Sequence, residues 1–96
     1  MDNDFFAPPP FKVEEQLVQL RRALRELRSL TERGDAWSFE GQEVLKLAAG
    51  DGQIDAKLAR KPARSPDWDA RPCRSSADVR KLQDELKRRL AQWADE

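Results

Sequence analysis

The chain of 96 residues contains no histidine and no tyrosine, and it has one cysteine, Cys73. Without histidine the commonest general acid–base group is missing, and without tyrosine a frequent phenolic donor is missing. A lone cysteine makes no intramolecular disulfide, and there is no Cys/His cluster at metal-ligand spacing. The Gly-x-Ser-x-Gly, P-loop and dinucleotide-binding glycine patterns are all absent. No apolar run approaches the ~20 residues that cross a bilayer. These absences exclude most familiar enzyme classes, and the expectation is a non-enzyme with no catalytic residues, cofactor, metal or small-molecule substrate. Net charge is absent too: 18 Lys plus Arg balance 18 Asp plus Glu, so no global field draws the chain to nucleic acid or membrane.

What is present is charge and helical leucine. Charged residues make up 38% of the chain against a usual ~25%, which predicts well-solvated helix faces around one small core. The start carries Asp2 and Asp4, lacks a basic stretch and is broken by Pro8, Pro9 and Pro10, unlike a secretory signal. With a single free thiol, the expected location is the cytoplasm.

From Val13 the apolar residues fall at Val13, Leu17, Leu20, Leu24 and Leu27, and Ala23 and Leu30 widen the stripe. This spacing predicts a helix over residues 13–33, with Glu14 and Glu15 in the first turn, Arg33 in the last and Gly34 as the stop. Arg21, Arg25 and Arg28 share a face, and Arg22–Glu26 and Arg28–Glu32 have i, i+4 spacing.

The period then changes to two, predicting strands at about 36–40, 44–49 and 53–60. A two-residue turn at Gly50-Asp51 sets Leu47 opposite Ile54 and Leu45 opposite Ala56, while a three-residue loop, Gly41 to Glu43, sets Phe39 opposite Leu45. Ser38, Glu40, Lys46, Asp55 and Lys57 then form a wetter face, with Val44, Ala48 and Ala59 as its mildly apolar part. Residues 61–75 hold Pro62, Pro66 and Pro72 and read as an extended linker pinned by Trp68. Ser75 is placed as N-cap, with Asp78 three residues on, for a second helix over 76–94 with the stripe Val79, Leu82, Leu86, Leu90 and Trp93.

The predicted fold is therefore α+β, α-β-β-β-α: a three-stranded antiparallel meander with two helices packed on one face, over residues 13–96, preceded by a Phe/Pro-rich arm at 1–12. Double-stranded RNA-binding domains share this element order. Their lysine cluster at the start of the second helix has only Arg80 and Lys81 to match it here, and order alone assigns no family.

Three segments carry candidate chemistry. The arm holds Phe5, Phe6, Pro8, Pro9 and Pro10, a preset extended rod with aromatic ends that protein grooves recognise; these are the expected partner-binding residues, aided by the second helix. Phe11, just before the first helix, is expected to strap onto the chain's own core. The linker carries Lys57, Arg60, Lys61, Arg64, Arg71 and Arg74 around Trp68, against only Asp67 and Asp69. That strip supplies the alternative, nucleic-acid (RNA) binding by phosphate contacts and base stacking. Asp67 and Asp69 read as loop formers or arginine partners, and Cys73, between Arg71 and Arg74, as an ordinary thiol. A protein partner or a homodimer is the leading expectation.

Overall fold

A computed structural model describes residues 11–95. Its order is α1 (Val13–Arg25), β1 (Leu30–Arg33), β2 (Ala36–Phe39), β3 (Gln42–Ala49), β4 (Ile54–Ala59), β5 (Trp68–Ala70) and α2 (Ser76–Ala94). The strands form one antiparallel sheet in sequence order, β1-β2-β3-β4-β5. The class is α+β, but the sheet has five strands where three were predicted.

The first extra strand comes from the predicted helix. Residues 13–33 are not one helix: α1 stops at Arg25, and the amides of Glu26 and Leu27 bond back three residues to Ala23 and Leu24. Leu30 is then placed opposite Phe39, and Glu32 opposite Trp37. Pairing with an aromatic strand outcompetes the helical continuation, for which Ser29 and Thr31 are weak formers. Gly34, placed above as a helix stop, sits with φ +61° in the tight turn between β1 and β2, and Arg33 belongs to β1. Glu32 pairs with Arg25 at 2.9 Å rather than with Arg28.

The next turn is also tighter than predicted. Glu40 and Gly41 both have positive φ, 51° and 85°, the signature of a two-residue I′ hairpin, in place of a loop from Gly41 to Glu43. Register shifts between Trp37 and Ser38, so Trp37 faces Leu45 while Ser38 faces Glu43, and Val44 is the extra residue of a bulge. The bulge buries Val44 and Leu45 together, both fully, so Val44 does not belong to the outer face.

Between β3 and β4 the turn centres on Asp51-Gly52, one residue later than predicted, with the Gly50 amide bonded to the Gln53 carbonyl at 2.8 Å. Leu47 therefore faces Ala56, and Leu45 faces Leu58. A partner shift of two residues preserves the side of every side chain. The predicted faces survive a wrong register.

β5 lies within the predicted linker. Leu58 pairs with Asp69 and Ala59 with Trp68, and the pairing continues to an isolated bridge between Ile54 and Cys73. Ala59 is buried and, like Val44, leaves the outer face less apolar than expected.

One core cluster joins Leu20 and Leu24 of α1, the alternate residues Trp37, Phe39, Leu45, Leu47, Ile54, Ala56 and Leu58, and the predicted α2 stripe Val79, Leu82, Leu86, Leu90 and Trp93. Trp93 meets Phe39 at 5.8 Å between ring centroids. Phe11 packs against this cluster, as the strap reading requires, as does Trp68. Ser75 caps α2: its Oγ accepts from the Asp78 amide at 3.2 Å, and Asp78 accepts from the Arg74 amide at 3.0 Å. This is a capping box shifted outward by one residue at its return bond.

Candidate interaction surface

Successive strand residues point to opposite sides, so the register that drives Ile54, Ala56 and Leu58 into the core drives Asp55 and Lys57 to the outer face. Reading across the strands there, Ala36, Lys46, Lys57 and Ala70 are successive partners in one row. Ala48 and Asp55 form the next row, with exposed Pro72 beyond Ala70 in the chain. The small alanines leave a shallow concavity of about 750 Å³, lined among others by Lys46, Ala48, Asp55, Lys57, Ala70 and Pro72. None of the described helices lines this groove.

Its electrostatics are uneven. Lys46 and Lys57 are direct cross-strand partners, a like-charge opposition that costs free energy. Lys46 lies 3.9 Å from Glu43, and its ammonium stands 4.8 Å from the Trp68 ring centroid. Lys57 has neither ion pair nor side-chain hydrogen bond among the described residues. At the groove's far wall Asp35 accepts from Arg21 of α1, and Asp55 accepts from Gln53. A second hollow of about 560 Å³ adjoins it through Glu43 and Lys46, bounded also by Arg64, Pro66 and Trp68.

The predicted basic strip is split by the same pleat. Asp69 and Arg71 point toward the core side, where α2 supplies Glu85 and Arg89. Arg60 donates to Asp69 at 2.9 Å, Arg89 to Asp69 at 3.1 Å and to Glu85 at 2.6 Å, and Arg71 to Glu85 at 2.9 and 3.1 Å. Arg89 also donates to the Ala59 carbonyl at 2.8 Å, tying α2 to β4. Bonds from Arg60, with Arg89 adding to them, hold the Asp69 carboxyl below its ordinary pKa; those from Arg71 do the same for Glu85. Arg74 donates to Gln53 at 2.8 Å. Lys57, Lys61 and Arg64 are exposed and carry no ion pair among the described residues.

Cys73 is 1% exposed. Burial first, then nearby Asp78, pushes its thiol up to about 11, so flanking arginines do not activate it. No group of three or more His, Cys, Asp or Glu among the described residues is placed to hold a metal. Phe5, Phe6, Pro8, Pro9 and Pro10 lie outside the described residues. The apolar stripe of α2 is spent on the core, and its exposed side presents Arg80, Lys81, Lys87 and Arg88.

Sequence reasoning missed Glu85 and Arg89, which look like ordinary solvated helix charges until β5 is known to lie beneath them. The groove was half legible: parity placed Lys46, Ala48, Asp55 and Lys57 on one face, but without β5 there was no Ala70 or Pro72 beside them.

Compared with known proteins, the chain matches no family model, no curated protein and no solved structure.

Proposed function

We propose that the chain is a small non-enzymatic interaction module of the cytoplasm that binds a protein partner, or a second copy of itself, through the outer face of its sheet. The observation that carries this reading is the alanine-floored groove with Lys46 and Lys57 side by side at its centre. An opposed lysine pair weakens a sheet and gains nothing for the core, which fits a surface kept for contact. The absence of histidine, the buried thiol and the arginine-held carboxylates favour binding over catalysis. No described helix is long and apolar enough to cross a membrane.

RNA binding through Lys57 to Arg74 is the second reading, favoured by exposed Lys57, Lys61 and Arg64 near Trp68. Against it, Arg60 and Arg71 already serve Asp69 and Glu85, and Lys46 stands over the Trp68 ring.

The test is capture from host lysate, with and without nuclease, by wild type and by an Ala48→Glu/Ala70→Glu variant of equal melting temperature. A protein held by wild type in both conditions and lost from the variant supports the module. Capture abolished by nuclease, or unchanged in the variant, rejects it. Light scattering separates a monomer from a dimer, and a monomeric mass removes the self-binding version.

A further inference from the structure

The outer groove carries two rows of opposite charge side by side. Ala36, Lys46, Lys57 and Ala70 are successive partners across β2 to β5. In the next row Ala48 faces Asp55, and the Leu47 amide donates to the Asp35 carbonyl at 2.9 Å, which brings Asp35 to the end of that row. Lys57 and Asp55 are two residues apart on β4, so they stand about 7 Å apart on one face. We infer that the occupant of this face is a second copy of the same chain, docked about a two-fold axis that runs across the strands between the two rows, so that Lys57 of each copy meets Asp55 of the other. The inference rests on the outer face being the contact surface, and it names the partner and the register.

The pairing follows from symmetry and strand register together. A two-fold axis lying between two facing surfaces makes an isologous contact, in which every pair of residues occurs twice. Placed between the two rows, it sets each Lys57 opposite Asp55, each Lys46 opposite Ala48 and each Ala70 near Pro72 of the other copy. Exposed Ala48 and Ala70 present no bulk that would hold the two sheets apart. Aligned sheets cross at about 30°, and a crossing centred on β4 displaces Lys57 and Asp55 least because they lie nearest the axis.

Charge selects this occupant over others. The groove is lined by Asp35, Glu43 and Asp55 against Lys46 and Lys57, so a polyanion meets carboxylates and a polycation meets ammonium groups. A copy of the same face brings both signs in complementary order. Of the two opposed lysines, Lys46 has Glu43 at 3.9 Å and the Trp68 ring, whereas Lys57 has no ion pair among the described residues; Asp55 of a second copy supplies one. With 18 cationic against 18 anionic residues, no net charge drives two copies apart. Four strands and the length of β4 give a planar footprint of about 400 Å² per copy, at the low end for specific pairs, so the expected dissociation constant is on the order of 10–100 μM.

Sedimentation equilibrium of the purified full chain, over concentrations that bracket that constant, tests this. Wild type should form a closed dimer. Asp55→Lys and Lys57→Glu each place like charges in both symmetric pairs, and each should weaken self-association at least about tenfold. An equimolar mixture of the two variants should recover the dimer, because Glu at 57 then meets Lys at 55 while the native Lys57 meets the native Asp55; the double variant should recover it alone. Melting curves confirm that each variant is folded. A monomeric wild type, open-ended association, dimerisation indifferent to either reversal, or no recovery on mixing would each overturn the inference. A monomeric wild type that still captures a lysate protein through Ala48 and Ala70 would overturn it while leaving the contact surface in place.

Discussion

The two faces of β4 are made from interleaved residues and have opposite characters. Ile54, Ala56 and Leu58 are buried, while Asp55 and Lys57 between them are exposed on an open groove. The same contrast runs along β3, where Leu45 and Leu47 face the core and Lys46 and Ala48 face out. The strand period of two lets one short segment present an apolar row to the core and a charged row to the opposite face. β5 departs from the rule in an instructive way. Its core-side residue is Asp69, followed on the same side by Arg71 just beyond its end, because at the sheet's edge the layer is closed by ion pairs to α2 instead of by apolar packing.

The comparison breaks most sharply in the core. Leu58→Ala is expected to cost about 2–5 kcal/mol in denaturant unfolding, since Leu58 is fully buried on the inner strand β4. Arg89→Ala comes next, at about 1–3 kcal/mol, because it strips partners from Asp69, Glu85 and the Ala59 carbonyl at once. Ser75→Ala should cost about 1 kcal/mol by loss of the α2 cap, checked by the same unfolding curves. Lys57→Ala, on the outer face, should leave stability within about 0.5 kcal/mol. A core-sized loss at Lys57 would erase the distinction between the faces.

Acid sharpens the same contrast. Asp69 and Glu85 have folded pKa values below their ordinary 3.8 and 4.5, so they bind protons more weakly folded than unfolded. Their contribution to stability is therefore present above the ordinary carboxylate range and is lost as pH falls through the depressed folded values. Melting temperature measured from pH 7 down to pH 2 should decline at the acid end, and less steeply in Asp69→Asn/Glu85→Gln. An equal decline in that variant would assign acid sensitivity elsewhere, for instance to Glu32, which hydrogen bonds to Arg25 depress in the same direction.

How much of this was legible in the sequence depended on whether local pattern and tertiary pairing agreed. α2 was legible to the residue, since Ser75, Asp78 and an apolar stripe ending at Trp93 all point the same way. β1 was hidden because Leu27 and Leu30 fit a helical stripe as well as a strand, and only pairing with Phe39 and Trp37 decides between them. β5 was hidden because Asp69, and Arg71 just after it, occupy the positions where an apolar alternation would have shown. Pro72, two residues past β5, is tolerated between the Arg71 and Cys73 amides that bond to β4, since its own missing N–H breaks no ladder bond. The basic strip was visible as charge, but its pairing with Glu85 was not, because that contact spans 14 residues and a change of element.

The most direct test of the two-face account is to record amide spectra of the ¹⁵N-labelled full chain in unlabelled host lysate. The account predicts that broadening or shifts concentrate at Lys46, Ala48, Asp55, Lys57 and Ala70, and spare the exposed side of α2 around Lys81, Lys87 and Arg88. Perturbation centred on that side of α2, with the sheet's outer face unchanged, would contradict it.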